Sequence, residues 1–395
     1  MPPDERSGGG LISSAEPALA IDQLLHRGPL DPDDVDAFLK RHDVPLIEGL
    51  RCTFLYRGEA DEVAVTHRVI GLDPRLPLRR IDGTDLWYAV IELPEESRVE
   101  YRLAVTRHGA TEERNDPLNP RLAHSPFGAS SAVYGAGYEV PEWTQPDPEA
   151  REGRLEELVI RSQALGRDCP VTLYLPARFR RSARYPVLVV HDGGDYLAYA
   201  AAKTVLDNLI HRLDIPELVA AFTHPGDRLV EYPDHPGHAA FIATELVPEL
   251  ETQLPLLARP RGRCLMGSSF GGVATLSTAV RYPRLFGGLI VQSGSFLFTD
   301  IGSDHPGGPV FDPVVAFMNR YRARPRRGAD RLHVSCGIYE PLIVPNRAMV
   351  PVFRTAGMEV RYVEARDGHN WENWRDRLRD GLSWIFPGPQ KYVYE

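Results

Sequence analysis

The sequence predicts an α/β fold, a parallel sheet covered by helices, preceded by a small all-β sandwich. Three observations predict it. Between about 46 and 140, short apolar–polar alternations are separated by Gly, Pro and Asp. From 158 onward, apolar strands alternate with amphipathic helices, the pattern of a parallel sheet buried on both faces. Between one such strand and one such helix stands Gly267-Ser268-Ser269-Phe270-Gly271, a G-x-S-x-G pentapeptide.

The 395 residues are enough for two domains, and 43% hydrophobic content supplies a sizeable core. The expected layout is a disordered N-terminus and helical segment over 1–43 and an immunoglobulin-like β-sandwich over 44–140. A linker follows over 141–157, and a catalytic α/β domain over 158–395. The start, MPPDERSGGG, is polar and glycine-rich. Residues 17–43 carry a helical pattern with a capping aspartate just before DVDAFLKRH. The sandwich strands are RCTFLYRG, EVAVTHRV, LWYAVIEL and VEYRLAVTRHG, with Trp87 expected in their core. The stretch PEWTQPDPEAREGR is polar and proline-rich, as a linker would be. Then RYPVLVVHDGG reads as a buried strand and AAAKTVLDNLIHRL as a helix. The alternation continues to the strand EVRYVEA and the helix WENWRDRLRDGLSWIF.

Composition excludes some functions. A net charge of −9 argues against general nucleic-acid binding and against adhesion to anionic membranes. No apolar run approaches the roughly 18–20 residues that span a bilayer. The N-terminus lacks a basic segment followed by an apolar one, so the cytoplasm is the expected location. The four cysteines, Cys52, Cys169, Cys264 and Cys336, have no C-x-x-C spacing and are expected as buried free thiols. His191 and Asp192 hint at a metal, but further ligands at suitable spacing are missing, so neither metal nor cofactor is expected.

The pentapeptide carries the chemistry. A sharp strand-to-helix turn presents its central residue, Ser269, above the sheet, and small neighbours keep strand and helix from clashing. Ser268 lies off the centre. A serine hydroxyl needs a base to take its proton and an acid to orient that base. Three histidines follow: His305 in a loop, His333 inside the strand RLHVSC, and His369 between the last strand and the last helix. His369 is the expected base. Glu340, just past the preceding strand, is the expected acid, and Asp367 is its rival. The amide of Phe270 and that of Gly194, after the strand ending in HDGG, are the expected oxyanion donors.

These residues resemble the enterochelin (ferric-enterobactin) esterase family, within the esterase D group of α/β-hydrolases. The resemblance rests on VTLYLPARF, VLVVHDGGDYL, MGSSFGGVATLSTAVRYPRLFGGLIVQSGSF, GIYEPLIVPNRAMV and DGHNWENWRDRLRDGL in the second half. In the first half it rests on VDAFLKRHDVPLIEG, RIDGTDLWYAVIELPEESRVEYRL and DPLNPR. It spans about 35 to 388. It implies that Ser269 and His369 are nucleophile and base, with Glu340 where many esterase D relatives place the acid. After PGDR the chain departs from the family, reading LVEYPDHPGHAAF.

The expected function is a serine esterase working through an acyl-enzyme on a small-molecule ester, with a catecholate siderophore trilactone as the substrate the resemblance implies. An anionic catecholate would need local arginines and aromatic faces. Arg228, Arg347 and Trp371 are expected to line that pocket. The alternatives are an acyltransferase of the mycolyltransferase type and a non-catalytic binding protein on a hydrolase fold. The sandwich is expected to shield the pocket mouth and support the catalytic domain, with ligand recognition, by likeness to the domains that accompany carbohydrate-active enzymes, as the alternative.

Overall fold

The computed structural model describes residues 18–300, 305 and 307–389. The stretch expected to be disordered lies outside the described residues. Two short helices come first among the described residues, α1 (Ala20–Leu25) and α2 (Pro32–Arg41). Asp31 caps α2 by accepting from the Asp34 amide, and Asp34 returns the bond in a capping box. The cap falls earlier than the aspartate expected from sequence because Pro32, with its fixed φ, takes the first helical position. Ile21, Leu24, Val35 and Phe38 bury their side chains with Leu55 and Leu86 of the following domain.

That domain holds ten strands. They are β1 (Leu46–Glu48), β2 (Arg51–Arg57), β3 (Glu62–His67), β4 (Arg75–Pro77), β5 (Arg79–Arg80), β6 (Leu86–Glu92), β7 (Arg98–Arg107), β8 (Ala110–Arg114), β9 (Leu122–Ser125) and β10 (Gly128–Tyr134). One sheet runs β1-β2-β6-β5; the other runs β4-β3-β7-β10-β9, with β8 paired to β7. Their inward residues share one core: Phe54, Tyr56 and Trp87 from the first sheet meet Val63, Tyr101, Leu103 and Val133 from the second. Trp87 is thus a core residue, its indole N–H donating to the Gly58 carbonyl.

The second domain is an eight-stranded sheet of β11 (Arg154–Ser162), β12 (Arg167–Leu175), β13 (Val187–Val190), β14 (Val219–Thr223), β15 (Arg263–Ser268), β16 (Gly288–Gln292), β17 (Arg331–Gly337) and β18 (Glu359–Ala365). The order is β11-β12-β14-β13-β15-β16-β17-β18, antiparallel across the first three strands and parallel from β14 onward. This is an α/β-hydrolase sheet. It starts earlier than expected, because β11 lies partly inside the segment read as linker. Pairing runs from Arg154↔Leu175 to Ser162↔Arg167. As an edge strand it buries little beyond Ile160 and Ser162, so its residues look like those of a linker. The remaining linker is tied down too: the Asn208 side chain donates to the carbonyls of Trp143 and Gln145.

Helices cover both faces. They are α3 (Gly193–Tyr199), α4 (Ala202–His211), α5 (Arg228–Glu231), α6 (Pro236–Ala240), α7 (Val247–Gln253), α8 (Phe270–Arg281), α9 (Asp312–Ala323), α10 (Ile343–Thr355), α11 (Trp371–Asp376) and α12 (Leu378–Ile385). Val187 and Val189 face one core with α8, α9 and α10. Leu188 and Val190 face the other with α4, α11 and α12. Strict alternation with both faces buried is why VLVV reads as a continuous apolar run. All four cysteines are buried free thiols. Among the described residues, no helix is long and apolar enough to cross a membrane.

Candidate active site

Ser269 is the single residue between β15 and α8, at φ 54 and ψ −121. A side chain at such a φ is strained, at roughly 1–3 kcal/mol, and persists only where the surroundings impose it. Here they do. The Ser269 amide donates to the Gln292 carbonyl at 2.9 Å, and its carbonyl accepts from the Ser295 amide at 3.0 Å. The flanking glycines are required by contact: a Cβ on Gly267 would lie 2.4 Å from the Gly271 carbonyl oxygen. The Ser269 hydroxyl is 3.2 Å from that of Ser295. Ser268, one residue back, is fully buried within the strand.

The loops after β17 and β18 bring the other two residues together. His369 Nδ1 lies 2.5 Å from Glu340 Oε2. The other carboxylate oxygen of Glu340 accepts from the Ser293 hydroxyl at 2.5 Å and the Gly337 amide at 2.9 Å. Burial by itself would raise the Glu340 carboxyl, but these hydrogen bonds and the His369 charge outweigh it and hold the group below the usual range. Ser293 in turn accepts from the Trp374 indole N–H at 2.9 Å. The Trp374 ring stands edge-to-face against His369, centroids 5.0 Å apart.

The rival acid faces elsewhere. Asp367 Oδ1 accepts from Arg98 of the sandwich, from the Gly368 amide and from the Asn370 side chain. His333 is fully buried in β17, and burial plus the charge of Arg361 lowers it to about 4. His305 pairs with Asp312.

Phe270 is the first residue of α8 and Gly194 the second of α3, so both amides belong to the helical first turns that lack intrahelical acceptors. The two turns adjoin: a Cβ on Gly271 would lie 3.2 Å from His191 Cβ and 3.3 Å from Asp192 Oδ2. Asp192 itself takes a left-handed conformation before α3.

The three expected pocket residues fare differently. Arg228 lies beside the Ser269 turn, its guanidinium 5.8 Å from the centre of the Phe270 ring. Its charge is already engaged, however, in a forked pair with Asp192 at 2.8 to 3.0 Å. Arg347 is exposed and forked onto Glu364 at 2.6 and 2.7 Å, a surface ion pair rather than an anion site. Trp371 is buried among Tyr196, Tyr199 and Trp374, a core contact. Of the two tryptophans, Trp374 is the one that touches His369. Both rings lie on one face of α11 and touch each other, and Trp374, nearly one turn further along, is the one that meets the imidazole. Sequence reasoning missed Trp374, Ser293 and Ser295. The signal for the serines was QSGS at the end of β16, the strand next to β15.

His191 points inward, with Nε2 2.9 Å from His238 Nε2 and Nδ1 3.1 Å from the Met266 carbonyl oxygen. Among the described residues, no group of three or more His, Cys, Asp or Glu is arranged to hold a metal.

A family model described as "Putative esterase" matches residues 162–385, more than half of the chain. An iron(III) enterobactin esterase from Dickeya dadantii is 25% identical over 418 residues, covering 88% of this chain and 91% of that one. One from Escherichia coli K12 is 23% identical over 330 residues, covering 77% and 80%. The crystal structure of the Shigella flexneri enterobactin esterase, solved in the presence of enterobactin, superposes with a TM-score of 0.71 at 22% identity. It covers 89% of this chain and 97% of that one.

Proposed function

We propose that this chain, which belongs to the "Putative esterase" family, hydrolyses carboxylic esters through a covalent acyl-enzyme on Ser269. It is a carboxylic ester hydrolase. The observation that carries it is the strained Ser269 at the strand–helix turn, with the 2.5 Å His369–Glu340 pair on neighbouring loops of the same sheet.

The Ser269 hydroxyl attacks the ester carbonyl while His369 takes its proton at Nε2. Glu340, accepting from Nδ1–H, fixes the tautomer and stabilises the imidazolium that forms. The amides of Phe270 and Gly194 receive the oxyanion. Collapse of the tetrahedral intermediate expels the alcohol, which takes the proton from His369, and leaves the acyl group on Ser269. Water, deprotonated by His369, then releases the acid and regenerates the serine.

The substrate proposed is a catecholate siderophore ester, because the relatives that align over most of this chain are named iron(III) enterobactin esterases. Arg228 is the one arginine of the three expected residues that remains beside the nucleophile. With its Nε and Nη2 on Asp192, it would meet a substrate oxygen through Nη1.

The test is a screen of ferric and iron-free catecholate trilactones beside p-nitrophenyl esters, with phosphonate labelling and peptide mapping. Trilactone cleavage and a label on Ser269 are expected. A label on another serine sinks the mechanism. Cleavage of simple esters but of no trilactone sinks the substrate.

A further inference from the structure

The loop that carries His369 is held from the other domain. Arg98, the first residue of sandwich strand β7, is fully buried and reaches into it. Its Nη1 donates to Asp367 Oδ1 at 3.2 Å and Asn370 Oδ1 at 3.0 Å. Its Nη2 donates to Glu372 and, at 3.0 Å, to Glu100 of its own strand. Its backbone amide donates to the Arg366 carbonyl at 2.8 Å. Three of these partners, Asp367, Asn370 and Glu372, bracket His369 on both sides in the chain. One atom, Asp367 Oδ1, also gathers the Gly368 amide and the Asn370 side chain at 2.7 Å each. The planar fork of arginine suits such a bracket, since one rigid group sets several acceptors relative to each other.

The neighbouring loop is pinned from the same side. Ser97 Oγ lies 2.6 Å from the Tyr339 hydroxyl, and Tyr339 directly precedes Glu340. The Tyr339 carbonyl accepts from the Ile70 amide, also of the sandwich, at 2.9 Å. The Tyr339 amide donates to the Asp367 carbonyl at 3.1 Å, closing the two loops onto each other. By contrast, among the described residues the His369 ring itself bonds to Glu340 and stands against Trp374.

We infer that Arg98, with Ser97 beside it, is a positioning residue of the reaction: the sandwich domain sets the orientation of His369 and Glu340. This rests on the esterase reading above. It assigns the sandwich a part in turnover beyond shielding the pocket, since a misplacement of about 1 Å transmitted to a catalytic group can cost on the order of 10²-fold in rate.

The experiment uses the full chain. Arg98→Lys keeps the positive charge and loses the fork. With a neutral p-nitrophenyl ester, kcat is expected to fall about 10- to 100-fold with KM within about twofold. The downfield proton resonance of the His369 Nδ1–H···Glu340 bond is expected to shift or broaden. Ser97→Ala, which removes one hydroxyl from a small site, is expected to lower kcat about 3- to 10-fold. If Arg98→Lys folds with a lower Tm but keeps both kcat and the resonance, Arg98 is interdomain glue and the inference falls. It falls equally if KM rises while kcat stays unchanged. If Arg98→Lys does not fold, Ser97→Ala decides, and an unchanged kcat overturns the inference. Failure of the esterase reading looks different: Ser269→Ala would then leave activity intact, while the resonance would still report whether Arg98 orients His369.

Discussion

His369 Nδ1 and Glu340 Oε2 stand 2.5 Å apart although 29 residues separate them in the chain. They meet because β17 and β18 are parallel neighbours, paired from Arg331↔Glu359 to Gly337↔Ala365, so their following loops leave the sheet side by side. Gly337 permits the approach: a Cβ there would lie 2.2 Å from the Asp367 carbonyl oxygen.

Glu340→Gln is expected to lower kcat by roughly 10- to 10⁴-fold, the range reflecting how variable the third member of such triads is. Asp367→Asn keeps the Oδ1 acceptor for Arg98 and does not face the imidazole, so it should cost less than Glu340→Gln. Steady-state kinetics on one ester compares the two. The reverse order would mean that Asp367 is the acid.

Ser269→Ala should abolish phosphonate labelling and lower kcat by orders of magnitude, while the buried Ser268→Ala should retain most activity. Ser269→Gly should be equally inactive yet more stable than Ser269→Ala by about 1 kcal/mol, since glycine relieves the positive φ at some cost in unfolded-chain entropy. Denaturant midpoints measure the difference. A glycine variant less stable than the alanine variant contradicts the strain.

Trp374→Phe keeps a ring against His369 but removes the donor to Ser293. We expect about 1 kcal/mol of lost stability from the hydrogen bond and a several-fold lower kcat. Trp371→Phe should affect stability alone, as its contacts are Tyr196, Tyr199 and Trp374. Matched Tm and kcat measurements on both variants separate these roles.

Arg228→Ala would leave Asp192 unpaired next to the Ser269 turn. Its kcat/KM should therefore fall for neutral and anionic esters alike, with a larger fall for a catecholate that also uses Nη1. Loss confined to the anionic ester would show that the Asp192 pair is dispensable.

Burial by itself would raise Glu231, but nearby His238, 3.6 Å away, and the forked hydrogen bonds from Arg167 outweigh it and lower it to about 2. A depressed carboxylate contributes stability that is present above its ordinary pKa, near 4.5, and lost as pH falls toward 2. Unfolding between pH 2 and 5 should thus be less pH-dependent in Glu231→Gln than in the wild type. Identical slopes would remove Glu231 from the acid response.

The sequence by itself determined the α/β alternation and the sharp strand–helix turn at Ser269. These are local: a fully buried strand, glycines where backbones touch, and a helix starting at once after Ser269 leave their mark within a few residues. It also singled out His369 and Glu340, because residues just past parallel strands come together at one end of a sheet. Tertiary structure alone decided what surrounds them. That Arg228 is spent on Asp192 and that Arg347 pairs on the surface with Glu364 depend on partners distant in the chain, and that Trp374 rather than Trp371 meets the imidazole depends on how the His369 loop folds over α11. The edge strand β11 hid in a linker-like segment because it buries too little to show a pattern. Arg98 was invisible for the same reason in reverse. An arginine opening a strand of one domain reads as a solvated charge until the fold buries it among carboxylates of the other, where only direct pairing offsets its desolvation.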